Sequence, residues 1–178
     1  MTERQKQEIE YVAERFLRDQ DAFRLPVDVD ALTKKLGIKV IRMSFNEEPV
    51  TGMIVVDDDK PIPHIGAHRL ISVNEALDKE QTRFIIAHEL GHFKLHKMPV
   101  QTLITYRDTD EPADTQVEAE AEFFARALLM PKAFMELAVR KFQGNFKKHH
   151  SIQSFIGQIF EVSLPKAYKR LLELKMLE

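Results

Sequence analysis

The chain has 178 residues, 44% of them hydrophobic and 30% charged, with 26 basic against 28 acidic side chains. This is the make-up of a water-soluble globular protein long enough for one sizeable core, and it excludes a mini-scaffold and a disordered chain. The absence of cysteine excludes a disulfide framework, a thiolate zinc site, an iron-sulfur cluster and a cysteine nucleophile together, so any metal must rest on histidine and carboxylate.

The start, Met1-Thr2-Glu3-Arg4-Gln5-Lys6, is polar, and no apolar run of signal-peptide or membrane-span length follows, which predicts a cytoplasmic protein. Ile9, Val12, Phe16 and Leu17 recur at i, i+3, i+7 and i+8 within residues 3–20 and predict an amphipathic helix. A shorter helix follows, opened by Pro26 and Asp28, with Leu32 and Leu36 on its apolar side and Gly37 closing it. The period then changes. Apolar and β-branched runs at 38–43, 52–56 and 70–73, bounded by turn formers such as Asn46, Pro49 and Pro61-Ile62-Pro63, predict three short strands in an antiparallel meander. Residues 78–97 return to helical spacing. Phe84, Ile85, Ile86, Ala87, Leu90, Phe93 and Leu95 cover more than one stripe of that helix, which is therefore expected to be central and buried on most sides. The acidic, proline-containing stretch 98–115 reads as a mobile loop. Four more helices are expected at 115–130, 131–142, 151–160 and 163–175, with Pro131 in a first turn and Ser151 and Ser163 as N-caps.

Within the central helix lies His88-Glu89-Leu90-Gly91-His92, an HEXXH motif. Helical geometry sets His88 and His92 about 40° apart and about 6 Å along the axis, so both imidazoles reach one metal ion from the same face. Glu89 is turned by about 100°, too far to join them as a ligand but close enough to hydrogen-bond a water on that ion. The alternative, two surface histidines flanking a glutamate, fits poorly with a helix that is otherwise apolar. A catalytic zinc site takes three protein ligands and leaves one position open, and Glu118-Ala119-Glu120-Ala121-Glu122 is the place to look for the third. Glu118 and Glu122 share a face about 40° apart, whereas Glu120 sits about 200° round from Glu118. The face of Glu118 also carries Ala125 and Leu129, so it turns inward, and an inward carboxylate needs a cationic partner. A solvated acidic face is the rival reading.

Two stretches carry a family likeness: Ala87-His88-Glu89-Leu90-Gly91-His92, and the run from Glu118 through Phe123-Phe124-Ala125 to Leu128-Leu129-Met130-Pro131. On these motifs the chain resembles the ImmA/IrrE-type zinc metallopeptidases, and the likeness covers most of the sequence after residue 26. It implies an α+β, zincin-like fold in which a small three-stranded antiparallel sheet packs on the HEXXH helix and the C-terminal part is mainly helical. It implies a single metallopeptidase domain over 1–178, with a catalytic core over 26–131 and a basic helical C-terminal subdomain over 132–178. Zinc held by His88, His92 and Glu118 is expected, with Glu89 as the catalytic residue of a hydrolase that cleaves a peptide bond by metal-activated water. Glu122 stands where the family has Asn or Asp and is expected to steady a ligand histidine, with competition for the metal as the other option. His96 lies about 12 Å up the axis from His88, beyond the reach of a shared ion. Surface or packing roles are the default for His64, His68, His149 and His150; one of them, or Tyr106, is a candidate for steadying the oxyanion, and nothing in the sequence selects among them.

The resemblance further implies a helix-turn-helix transcriptional repressor as the substrate, cut to relieve repression of a mobile element, a prophage or a stress regulon. Residues 1–131 hold 17 basic against 24 acidic side chains, and residues 132–178 hold 9 against 4. The basic tail, with Lys147, Lys148, Lys166, Lys169 and Arg170, then offers a docking surface for an acidic region of that repressor; alternatively it packs against the acidic body. A non-enzymatic reading, as an anti-repressor or a DNA-binding module built on the last two helices, is the rival. The modest basic excess argues against direct nucleic-acid contact, and no membrane partner is expected.

Overall fold

In the computed structural model the first helix, α1 (Glu3–Asp19), begins at Thr2, whose hydroxyl accepts from the Gln5 N–H while the Gln5 side chain accepts from the Thr2 N–H. This reciprocal cap satisfies two backbone donors that would otherwise be orphaned. The buried stripe Ile9, Ala13, Phe16 and Leu17 lies against α4 (Gln116–Leu129), with the Phe16 and Phe124 rings 6.4 Å apart. Next, α2 (Val29–Lys35) is capped by Asp28, which accepts from the Ala31 N–H at 2.9 Å. Gly37, at φ +66°, turns the chain into the sheet. The structure describes residues 1–45, 50–96, 115–145 and 151–177. The Asn46 to Pro49 turn, residues 98–114 of the expected loop with Tyr106, and Lys147, Lys148, His149 and His150 lie outside them.

Strands β1 (Ile38–Met43), β2 (Gly52–Val56) and β3 (Arg69–Asn74) form one sheet in the order β1-β3-β2. β1 runs parallel to β3, with Val40 opposite Ile71, and β2 runs antiparallel to it, with Ile54 opposite Ile71. The sheet is therefore mixed, and the antiparallel meander is corrected. β3 takes the centre, with Leu70, Ile71, Ser72 and Val73 all buried and so both of its faces covered, whereas β1 is buried only at Ile38 and β2 only at Gly52 and Ile54. A period-2 pattern reports which faces are covered but not which strand stands in the middle.

Helix α3 (Lys79–Leu95) lies between this sheet and α4. Its ten consecutive residues from Arg83 to His92 are all buried, as the lack of a polar stripe foretold. Two glycines set how closely its neighbours approach. A Cβ on Gly52 would stand 2.3 Å from Ile85 Cγ2, and a Cβ on Gly91 would stand 3.0 Å from the Ala121 carbonyl oxygen. The chain closes with α5 (Lys132–Asn145), α6 (Ile152–Phe160) and α7 (Leu164–Glu173). One hydrophobic cluster runs from Ile9 on α1 to Leu171 on α7. Among the described residues no helix is long and apolar enough to cross a membrane.

The basic tail folds inward. Arg170 is fully buried; its Nε donates to the Met130 carbonyl at 3.0 Å, and its guanidinium forks onto the Glu10 carboxylate of α1. Arg126 binds Glu173 at 2.7 Å, and Lys166 and Lys169 both reach Glu122. Of the cations expected to offer a docking surface, Arg170 and Lys166 are thus spent inside the molecule, since a buried charge is tolerated only with a partner. Arg170→Ala is expected to cost about 3–5 kcal/mol in urea unfolding, because it leaves Glu10 and the Met130 carbonyl uncompensated. Arg170→Lys should recover little of it, since an ammonium cannot reproduce the planar fork. A loss within the range of a surface substitution, about 0.5 kcal/mol, would contradict the assigned role.

Candidate metal centre

The close approach at Gly91 lets two helices share a site. His88 and His92 project from α3 one turn apart, and Glu118 projects from the first turn of α4, where Thr115 caps the helix by accepting from the Glu118 N–H at 3.2 Å. A carboxylate in a first turn is favoured by the helix dipole. The two imidazole Nε2 atoms are 2.9 Å apart. His88 Nε2 lies 3.2 Å and His92 Nε2 3.4 Å from the two Glu118 oxygens. One atom from each residue thus falls within 4.8 Å of the others, with both histidines fully buried.

The donor set suits a metal ion. Two nitrogens and a carboxylate converge at spacings close to the edge of a tetrahedron whose bonds are about 2.0–2.2 Å long. Burial, the main cause, pulls the His88 imidazole down to about 4 despite its hydrogen bond with Glu118, so the ring is neutral at physiological pH, as a ligand must be. Burial works to raise the Glu118 carboxyl, but its hydrogen bonds with both histidines outweigh this and bring it down to about 2. A carboxylate that stays ionised among buried rings is the other half of a cation site.

Glu89 differs from all three. It is fully buried, and neither carboxyl oxygen has a hydrogen-bond partner among the described residues. Burial first, then the negative charge of Glu118, pushes its carboxyl well above the usual range. Oε1 faces Gly52 at the start of β2, where an added Cβ would stand 3.2 Å from it. A buried carboxyl with a raised pKa and unused lone pairs suits proton transfer near neutral pH.

Glu122 is placed by a different network. Its carboxylate is held by Arg126 at 3.0 Å, Lys169 at 3.1 Å and Lys166 at 3.6 Å. Burial opposes ionisation there, but these cations prevail and bring the carboxyl down to about 2. These contacts make Glu122 a bridge from α4 to α7, and its charge also acts on the buried His88 ring. Two residues that sequence reasoning set aside stand next to the cluster instead. His96 Nδ1 lies 3.2 Å from His92 Nδ1, and His96 Nε2 lies 3.2 Å from a Glu120 oxygen. The signal was present in the i, i+4 spacing of His92 and His96. Of the oxyanion candidates, His68 contacts the Asp57 carbonyl at 2.9 Å through Nδ1 and His64 is exposed, while Tyr106, His149 and His150 lie outside the described residues.

Comparison with known proteins points the same way. Residues 33–172 match a peptidase family described as the IrrE N-terminal-like domain. A stretch of 93 residues is 32% identical to metallopeptidase ImmA of Bacillus subtilis strain 168, taking in 49% of this chain and 52% of that protein. The chain thus spans about half the length of this curated relative.

Two predictions follow from the geometry. Gly91→Val should weaken metal binding in a competition titration and cost about 1–3 kcal/mol in urea unfolding, because its side chain drives α3 away from Ala121 and Phe124. Unchanged affinity would show that the spacing is not critical. The second concerns acid stability of the metal-free chain. His88 titrates at about 4 when folded against 6.5 ordinarily, so it costs stability as the pH falls from 6.5 to 4. Glu89, with its raised folded value, gains stability as the pH falls towards 4.5 and so offsets His88 in that window. Glu118 and Glu122, both lowered from 4.5 to about 2, then cost stability below 4.5. Glu89→Gln should therefore make the urea midpoint fall more steeply than in the wild type between pH 6.5 and 4.5, and the wild-type midpoint should drop below pH 4.5. Midpoints that stay level below pH 4.5 would contradict the assignment.

Proposed function

The chain belongs to the ImmA/IrrE family of metallopeptidases, and from that premise we propose that it is a zinc-dependent endopeptidase. His88, His92 and Glu118 are the ligands in this reading, Glu89 is the catalytic proton carrier, and α3 against the small sheet makes the packing zincin-like. The observation that carries it is the convergence of His88 Nε2, His92 Nε2 and a Glu118 oxygen beside a buried carboxyl that has no other use.

Zinc suits two imidazoles and a carboxylate, and three protein ligands leave a further position open to water or substrate. The bound cation supplies Lewis acidity towards a carbonyl and acidifies water. Glu89 then accepts a proton from the attacking water as its oxygen bonds to the carbonyl carbon, and later passes that proton to the amine nitrogen as the carbon-nitrogen bond breaks. Desolvation serves this step, since the carboxyl is held away from bulk water. The substrate is a protein, and β2, an outer strand of the sheet whose first residue abuts Glu89, offers an edge to which an extended peptide adds. A helix-turn-helix repressor is the proposed target. A DNA-binding role for the last two helices is the weaker alternative, because Arg170 and Lys166 face inward rather than towards phosphates.

Co-expression with a candidate repressor followed by intact-mass analysis tests the reading. The wild type should release one defined fragment, and Glu89→Gln should slow cleavage by about 10²–10⁴-fold while still binding metal. Cleavage at equal rates by both proteins, or an uncut repressor whose repression both proteins relieve equally, would replace the peptidase with an anti-repressor that works by binding.

A further inference from the structure

His92, His96 and Glu120 form a row that crosses from α3 to α4 behind the metal centre. His92 Nε2 faces His88 and Glu118. His92 Nδ1, on the far side of the ring, lies 3.2 Å from His96 Nδ1. His96 Nε2 lies 3.2 Å from Glu120 Oε2, and the other Glu120 oxygen accepts from the Gln116 side-chain amide at 2.7 Å. His96 and Glu120 have side chains only 16% and 19% exposed, so water screens the row poorly.

With a cation in place of the proton between His92 Nε2 and Glu118, one placement of protons satisfies the contacts of this row. A carboxylate only accepts, so His96 Nε2 must donate to Glu120. The lone pair of His96 then sits on Nδ1 and accepts from a proton on His92 Nδ1. That leaves the lone pair of His92 on Nε2, aimed at the position between His88 and Glu118. The opposite placement, with a proton on His96 Nδ1, forces the proton of His92 onto Nε2 and removes a ligand. We propose that Glu120 and His96 are positioning residues that hold His92 in its metal-binding tautomer and orientation, acting in series from α4 through His96. The inference rests on the metal-site reading above and extends it to two residues that touch neither the cation nor the substrate. A ligand histidine whose second nitrogen is pinned loses less freedom on binding and is a better donor, and such partners change metal affinity by about 10–100-fold.

The test is a competition titration of the full chain with Zn²⁺ and a chromophoric chelator at neutral pH. His96→Ala should bind about 10–100-fold more weakly than the wild type, while the metal-free forms melt at the same temperature. His96→Asn, which restores an acceptor near the position of Nδ1, should recover most of the affinity. Glu120→Ala should weaken binding in the same direction and add nothing to His96→Ala, because residues acting in series are not additive. Wild-type affinity in His96→Ala, or independent additive losses in the double variant, would overturn the relay while leaving the metal site standing. A wild type with no saturable Zn²⁺ site would bring down the site and the relay together.

Discussion

The contact between α3 and α4 at Gly91 and Ala121 governs the rest of the molecule. A single hydrogen in place of a side chain lets the two helices approach until a Cβ would touch the Ala121 backbone and the Phe124 ring. At that separation two imidazoles on one helix and a carboxylate on the other come within hydrogen-bond distance, although 25 residues lie between His92 and Glu118. The same contact explains why Leu90, Phe124 and Leu128 are fully buried around the site. Hydrophobic burial supplies the force that closes the interface, and the polar groups inherit the geometry.

Burial also sets the chemistry. His88 and Glu89 are neighbours in sequence and equally buried, yet they are pushed in opposite directions: the imidazole down and the carboxyl up. Both shifts favour the uncharged form, which leaves an imidazole nitrogen free to bind a cation and makes the Glu89 carboxylate, once ionised, a stronger proton acceptor than an exposed one. Glu118 escapes because two histidines support its charge, and Glu122 because α7 brings cations to it. Four titratable groups on two helices thus acquire different roles from packing alone. The ion bridges from Glu10, Glu122 and Glu173 to the basic residues of α4 and α7 then tie the ends of the chain around this core.

Much of this was legible in the sequence because it depends on local rules. Asp28, Asp78 and Ser151 stand as N-caps where short polar residues precede apolar periods, although Ser163 occupies its cap position without a side-chain bond. The helix-face argument separates Glu118 from Glu120, and in the structure they point to different histidines. What escaped depends on pairings distant in the chain. Strand order follows from which strand has both faces covered, and neither Leu70 to Val73 nor Gly52 to Val56 announces its neighbours. The bridge from Glu122 to α7, 47 positions away at Lys169, is likewise invisible to a local pattern. His96 lies too far along α3 to share the ion, and its contact with Glu120 crosses to α4, where a local pattern does not reach.

The central claim is that α3 and α4 together form one cation site with an open position next to Glu89. Anomalous diffraction at the zinc edge, on crystals of the full chain grown with Zn²⁺, tests it most directly. The account predicts one strong peak bonded to His88 Nε2, His92 Nε2 and a Glu118 oxygen, with a remaining position facing the Glu89 carboxyl. A peak elsewhere, or one at the histidines from which Glu118 has swung away, would contradict it.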